Sequence, residues 1–286
     1  MPLNTRWITL PLLLTAGIAA AADWPGSAAL ELTRLDYQGS GLRDRLNQRK
    51  LDLGLQASPA LGLTAGLGES RVDYRQGGVL EERTLALAAE GLSPDRDWAW
   101  RLGGIRVEDR QTGAPDLTSR TVLAGLGWWR TPDLLLDTGF CRTRLDSGTT
   151  VDQLTPMIGG SFNDRYTWVQ LRGYLQRFSQ TSENLDRAAA AELKLTQWLQ
   201  PGPVLKPRTL QAMVSGGKRL YSVDTDTLEL YTQPYIQTAA AWAGAGWRPQ
   251  PNLDFLLLAG ATRSHSPSLA DTLDSRFLYL NLSTHW

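Results

Sequence analysis

His265 lies between Ser264 and Ser266 and ahead of Asp271 and Asp274, which sets a candidate base beside hydroxyls and carboxylates. A serine nucleophile needs a base within hydrogen-bond reach and a third group to orient that base. The segment therefore becomes hydrolytic only if its loop folds Asp271 or Asp274 back onto the imidazole. The same composition is ordinary in a loop, and no longer catalytic motif surrounds it. The second histidine, His285, has no clustered partner, so no metal site is expected. Cys141 is the single cysteine and completes neither a disulfide nor a thiol pair, which leaves it as a small wall residue. Asp224, Asp226 and Glu229 offer oxygen ligands to a hard cation but lack the glycine and later bidentate glutamate of a calcium loop. A solvated acidic loop is the reading they support. No catalytic residue and no cofactor follows from these groups. Acidic and basic side chains balance at 29 each, whereas a nucleic-acid partner calls for a basic excess.

The elements that must carry these residues are short and alternating. After the first residues, no run approaches the roughly 20 apolar residues of a spanning helix. Instead Leu51, Leu53, Leu55 and Ala57 alternate with Asp52, Gly54 and Gln56, and Leu85, Leu87 and Ala89 alternate with Ala86, Ala88 and Glu90. Thr167, Val169, Leu171, Gly173 and Leu175 form one face of a further segment, opposite Trp168, Gln170, Arg172, Tyr174 and Gln176. Such a period places one set against lipid and the other around a lumen. The inward set includes Glu31, Asp52, Gln56, Glu90, Asp137, Gln170, Arg172, Glu192 and Lys194, with no dominant sign. Two places break the pattern. From Trp98 to Glu108 the apolar parity switches across Gly103-Gly104, which predicts a bulge. Asn184 to Gln200 has helical composition, but Leu193, Leu195 and Leu199 share a strand parity, so strand is preferred over a loop-borne helix.

Short turns at Ser58-Pro59-Ala60, Ser93-Pro94-Asp95, Thr131-Pro132-Asp133, Asn163-Asp164, Pro201-Gly202-Pro203 and Pro249-Gln250-Pro251-Asn252 alternate with longer polar connections. They divide the chain into an all-β, antiparallel, up-and-down transmembrane barrel of about fourteen strands, with 12 or 16 as alternatives. Tryptophans cluster near the short turns. Tyr37, Tyr74, Tyr174, Tyr221, Tyr231 and Tyr235 fall near the long ones, which predicts two aromatic belts. Met1 to Ala22 reads as a cleaved secretory signal, with Arg6, an apolar run and Ala20-Ala21-Ala22, leaving residues 23–286 as one barrel domain.

The last strand ends on an aromatic residue, with Trp286, Thr284, Leu282, Leu280 and Leu278 on one face and His285, Ser283, Asn281 and Tyr279 on the other. This resembles the terminal strand of Gram-negative outer-membrane β-barrel proteins. The resemblance implies location in that membrane, and it implies that Leu278, Leu280, Leu282 and Trp286 are read by the barrel-insertion machinery. Thr284 departs from the pattern, since an apolar residue is usual there. Asp36-Tyr37 before Gln38-Gly39-Ser40-Gly41 is similar to the first hairpin of small YaiO-type barrels. Arginines near the long connections, among them Arg106, Arg120, Arg142, Arg144 and Arg263, are placed to meet lipopolysaccharide phosphates or to pair with nearby carboxylates. The expected function is a weakly selective pore for small polar solutes, because a lumen of this size holds water if no loop enters it. The alternatives are a structural or surface-interaction barrel without conductance and a lipid-modifying hydrolase built on His265.

Overall fold

The computed structural model describes residues 25–113 and 115–286. The signal segment and the proposed cleavage point at Asp23 lie outside the described residues. The wall begins with β1 (Gly26–Gln38), β2 (Arg43–Ser58), β3 (Leu61–Tyr74), β4 (Val79–Leu92), β5 (Trp98–Gln111) and β6 (Leu117–Thr131). It continues with β7 (Leu134–Arg144), β8 (Thr150–Phe162), β9 (Thr167–Ser182), β10 (Leu185–Trp198) and β11 (Thr209–Arg219). Two short strands follow, β12 (Val223–Asp224) and β13 (Glu229–Leu230), and then β14 (Ile236–Gln250), β15 (Leu253–Ser266) and β16 (Asp271–His285). Every wall strand pairs antiparallel with its neighbours, β11 pairs with β14, and β1 meets β16 to close a fourteen-stranded barrel. β12 and β13 pair only with each other, as a separate hairpin.

Closure leaves no edge strand, so the wall's backbone groups pair within the sheet apart from a few register shifts near the strand ends, as a lipid environment demands. Side-chain alternation then sorts the two faces. Leu67, Leu87, Leu102, Val122, Ile158 and Val214 point outward and are exposed, while Ser70, Ala86, Ile105, Thr121 and Thr155 on the same strands point inward and are buried. An exposed apolar band running around a closed sheet is incompatible with a water-soluble surface and matches the lipid-facing band of a spanning barrel. Gly26 at the start of β1 and Trp286 after β16 lie at the end with the turns 59–60, 132–133 and 251–252, which is the periplasmic end of such a barrel.

Residues 185–198 are strand, as the parity of Leu193 and Leu195 indicated, and not a loop-borne helix. The structure corrects three other sequence expectations. The predicted contrast of turn and loop lengths is weak: β9 and β10 are joined by residues 183–184 alone, and the connection 199–208 at the periplasmic end exceeds most loops opposite. Polar segments such as Gln180 to Ser182 continue the ladder past the lipid rather than leaving it, since β9 is longer than the roughly 9–11 residues a span needs. There is no bulge at Gly103-Gly104, because β5 keeps one register with both β4 and β6 throughout. Ile105 and Val107 do face the lumen. Finally, Tyr37, Tyr174 and Tyr235 are buried inside the barrel, so they form no outer belt.

Candidate functional site

The longest connection among the described residues, 220–235, does not extend away from the mouth but enters the lumen. At its tip the Asp224 carboxylate accepts hydrogen bonds from the backbone of Asp226 at 2.8 Å and Thr227 at 3.3 Å, which tightens the turn between β12 and β13. Val223, Leu228 and Leu230 then pack against Ala86, Ile105, Val107, Leu123 and Cys141 on the inner faces of β4 to β7. This explains the change of apolar parity along β5. Its lower half presents Trp98, Trp100 and Leu102 to lipid, and its upper half presents Ile105 and Val107 to the hairpin.

Burying a loop requires partners for its backbone, and here wall side chains supply them. The Gln176 amide donates to the Leu220 carbonyl at 2.9 Å and accepts from its N–H at 3.0 Å. Gln153 does the same for Val223, at 2.7 and 3.1 Å. The two glutamines also bond each other at 3.0 Å, so together they imitate the edge of a strand. Farther along, Lys50 donates to the Thr227 carbonyl, Gln48 to Glu229 at 3.1 Å, Thr232 to Glu82 at 2.5 Å, and Arg43 to Gln233. Tyr235 donates to Asp271 at 2.9 Å and lies 4.3 Å beneath the Arg43 guanidinium.

At the centre, Arg172 donates to both oxygens of Asp226 at 2.8 Å, and Arg101 approaches the same carboxylate at 3.6 Å. Arg101 also forks onto Asp137 at 2.8 and 2.6 Å. Burial opposes ionisation of Asp226, but Arg172, its hydrogen bonds, Lys194 and Arg101 together hold the carboxyl below its ordinary range. The tip is thus a carboxylate held between guanidiniums from β5 and β9, with Lys50 of β2 on its backbone. These strands stand far apart around the wall, so the hairpin bridges the lumen instead of lining one side.

The remaining candidate lumen residues fall into small groups. Glu31 stands opposite Lys50 and Asn281 in the ladder, and Lys50 pairs with Asp52 at 2.9 Å. Glu192 lies 3.5 Å from Arg219, while Lys194 approaches the Trp242 ring at 5.8 Å. Gln170 is buried across the ladder from Lys194. Gln56 and Glu90 line a cavity of about 320 Å³ toward the periplasmic end, together with Arg101, Trp129 and Asp137. Sequence reasoning missed Arg101, Gln153 and the hairpin itself, and treated its acids as a solvated loop. The signal available for them was the combination of inward Ile105 and Val107 with an unusually long connection.

His265 does not acquire the partners that a hydrolase would need. Asp271 accepts from Ser40 at 2.7 Å and from Tyr235, Asp274 pairs with Arg263 at 2.7 Å, and Ser266 donates to Glu183 at 2.9 Å. Both carboxylates nominated to orient the imidazole, and the Ser266 hydroxyl, are held by other residues. Leu278 is exposed to lipid, and Leu280 and Leu282 share its parity. Trp286 exchanges backbone hydrogen bonds with Gly26 at 3.0 and 3.1 Å, and its ring lies over that glycine so closely that a Cβ there would meet it at 2.6 Å.

No family model matches the chain, and no curated protein matches it in sequence. Solved structures do match in fold. The chain is similar to the CymD monoaromatic hydrocarbon channel at 9% identity and a TM-score of 0.64, over 96% of this chain and 92% of that one. It is similar to the Pseudomonas putida toluene transporter TodX at 10% identity and a TM-score of 0.58, over 99% and 93%. A Pseudomonas aeruginosa FadL homologue matches at 9% identity and a TM-score of 0.51, over 92% and 89%. The shared architecture is that of Gram-negative outer-membrane barrels. With its lipid-facing band and closed wall, this protein resides in the outer membrane.

Proposed function

We propose that the protein is an outer-membrane channel for small polar solutes whose permeability is set by the inserted hairpin 220–235. The observation that carries this reading is the Arg172–Asp226–Arg101 contact, which holds a loop carboxylate across the lumen. Loop acids facing wall cations narrow the path and hydrate it at once, without a ring of a single sign. Weak selectivity between anions and cations is the consequence. The fold neighbours named for hydrocarbons and toluene raise an apolar cargo as another possibility. Polar solutes are favoured because the apolar inward residues of β4 to β7 are covered by the hairpin, and the inner wall elsewhere carries Lys50, Asp52, Gln170, Arg172 and Glu192.

A second reading, a structural barrel without conductance, is favoured by the tight packing of Gln153, Arg172, Tyr174 and Gln176, none more than 4% exposed. Recording from refolded protein in planar bilayers separates the two. The channel reading expects small discrete conductance steps, carried by ions of either sign and unchanged in His265→Ala. Steps that vanish in His265→Ala would contradict it. Within this reading, the C-terminal strand is the signal for the insertion machinery, and the exposed Trp98 and Trp100 mark the periplasmic interface. The YaiO-like first hairpin adds no solute.

A further inference from the structure

Outward-facing arginines on three adjacent strands stand in one row. The β5–β6 ladder places Arg106 directly opposite Arg120, and the β6–β7 ladder places Arg120 directly opposite Arg144. All three are exposed, while their neighbours Val107, Thr121 and Thr143 turn inward and are buried. Directly opposed side chains on antiparallel strands have Cβ atoms roughly 5 Å apart, a spacing at which like charges destabilise the pair. The rest of this surface shows how the wall ordinarily avoids that cost. Arg49 stands opposite Glu69 and is paired with it, and Arg142 stands opposite Asp152 and forks onto it at 2.7 and 2.9 Å.

Among the described residues, Arg106 is the one member of the row with a carboxylate partner, Glu108 at 2.7 Å. The nearest acid of the adjoining loop, Asp146, accepts from the backbone of Thr118 at 2.6 Å. Three guanidiniums against the carboxylates of Glu108 and Asp146 leave a local excess of one positive charge, and among the described residues neither Arg120 nor Arg144 shares an ion pair. The height is informative. Two residues toward the periplasm from Arg120 stands Val122, 63% exposed, and below the neighbouring Arg142 stands Phe140, 43% exposed. The row therefore begins where the lipid-facing band ends, on the extracellular side, at the level of lipid headgroups.

We propose that Arg106, Arg120 and Arg144 form a site for the phosphate groups of an outer-leaflet lipid. A phosphate between Arg120 and Arg144 offsets their mutual repulsion, and the guanidinium fork suits its oxygens bidentately. The acyl chains of the same molecule would lie along the apolar band below. The proposal rests on the outer-membrane location and not on conduction, so a barrel found to be sealed would leave it intact.

The test compares wild type with Arg120→Gln/Arg144→Gln, both refolded in nonionic detergent, using diphosphoryl lipid A as probe. Bound lipid is counted by native mass spectrometry, and thermal unfolding is followed by the shift in electrophoretic mobility. Arg263→Gln, which lies outside the row, is the control. Wild type is expected to retain lipid A and to gain thermal stability from it, with occupancy falling roughly tenfold in the double variant. Without lipid, the double variant is expected to be at least as stable as wild type, because a like-charge contact has been removed. Equal lipid occupancy in the two proteins would overturn the proposal. So would a double variant that is less stable without lipid, which would make the row structural. Stabilisation of wild type by inorganic phosphate to the same extent as by lipid A would reassign the row to free anions and overturn the lipid assignment.

Discussion

Removing residues 222–232 and joining Tyr221 to Gln233 through a short glycine link is expected to raise single-channel conductance roughly threefold or more. The wall does not depend on this hairpin, because β11 pairs directly with β14 from Thr209 opposite Gly246 to Gly216 opposite Ala239. What the deletion removes is the bridge: Asp226 between Arg172 and Arg101, the Val223 backbone held by Gln153, and the apolar cap over β4 to β7. Freed arginines and lysine then face water, so the enlarged path should also shift toward anion preference. Some stability is lost, on the order of 1–3 kcal/mol for each large apolar side chain newly exposed, such as Ile105 or Leu123. The measurement is paired recording of wild type and deletion in the same salt, with folding verified by heat-modifiable mobility. A folded deletion that conducts no better than wild type would refute the assignment of the hairpin as the constriction.

Replacing Trp286 with Glu is expected to reduce the amount of assembled barrel in the outer membrane several-fold, while Trp286→Phe leaves it near the wild-type level. The barrel closes only through β1 and β16, whose ladder runs from Ser27 opposite His285 to Gln38 opposite Asp274. The Trp286 ring and backbone secure the end of that seam against Gly26. A charged residue removes the ring packing and brings a carboxylate to the lipid boundary, leaving the seam frayed and its edge unpaired. Quantitative blotting of membrane fractions reads the outcome. Equal levels of all three proteins would show that this position governs neither recognition nor closure.

The wall was legible in the sequence because membrane barrels obey a strong local rule. Leu85, Leu87 and Ala89 against Ala86, Ala88 and Glu90 encode a strand with two unlike faces, and that pattern repeated around the chain suffices to place the turns. The lumen was less legible because its contents depend on contacts between distant residues. Gln153 and Gln176 look like any polar wall residues until the Val223 and Leu220 backbones meet them. Arg172 was placed inward, but its partner Asp226 lay in a segment that looked like a solvated acidic loop. The misreading of β5 has the same origin. A parity switch across Gly103-Gly104 suits a bulge if the lumen is assumed to be wet, and it suits an unbroken strand once an apolar hairpin covers Ile105 and Val107. The tyrosines near the extracellular end were likewise drawn inward by this insertion, with Tyr37 and Tyr235 packing together and Tyr235 donating to Asp271.

The most direct test of the inserted hairpin uses the single native cysteine. Cys141 faces the lumen on β7, is 0% exposed, and lies beneath Val223, Leu228 and Leu230. A charged, water-soluble methanethiosulfonate reagent should therefore modify Cys141 slowly in the folded wild-type barrel and roughly a hundredfold faster once residues 222–232 are deleted. Equal, rapid modification of both proteins would contradict the hairpin's place in the lumen, and a cysteine still protected after the deletion would contradict its role as the cover.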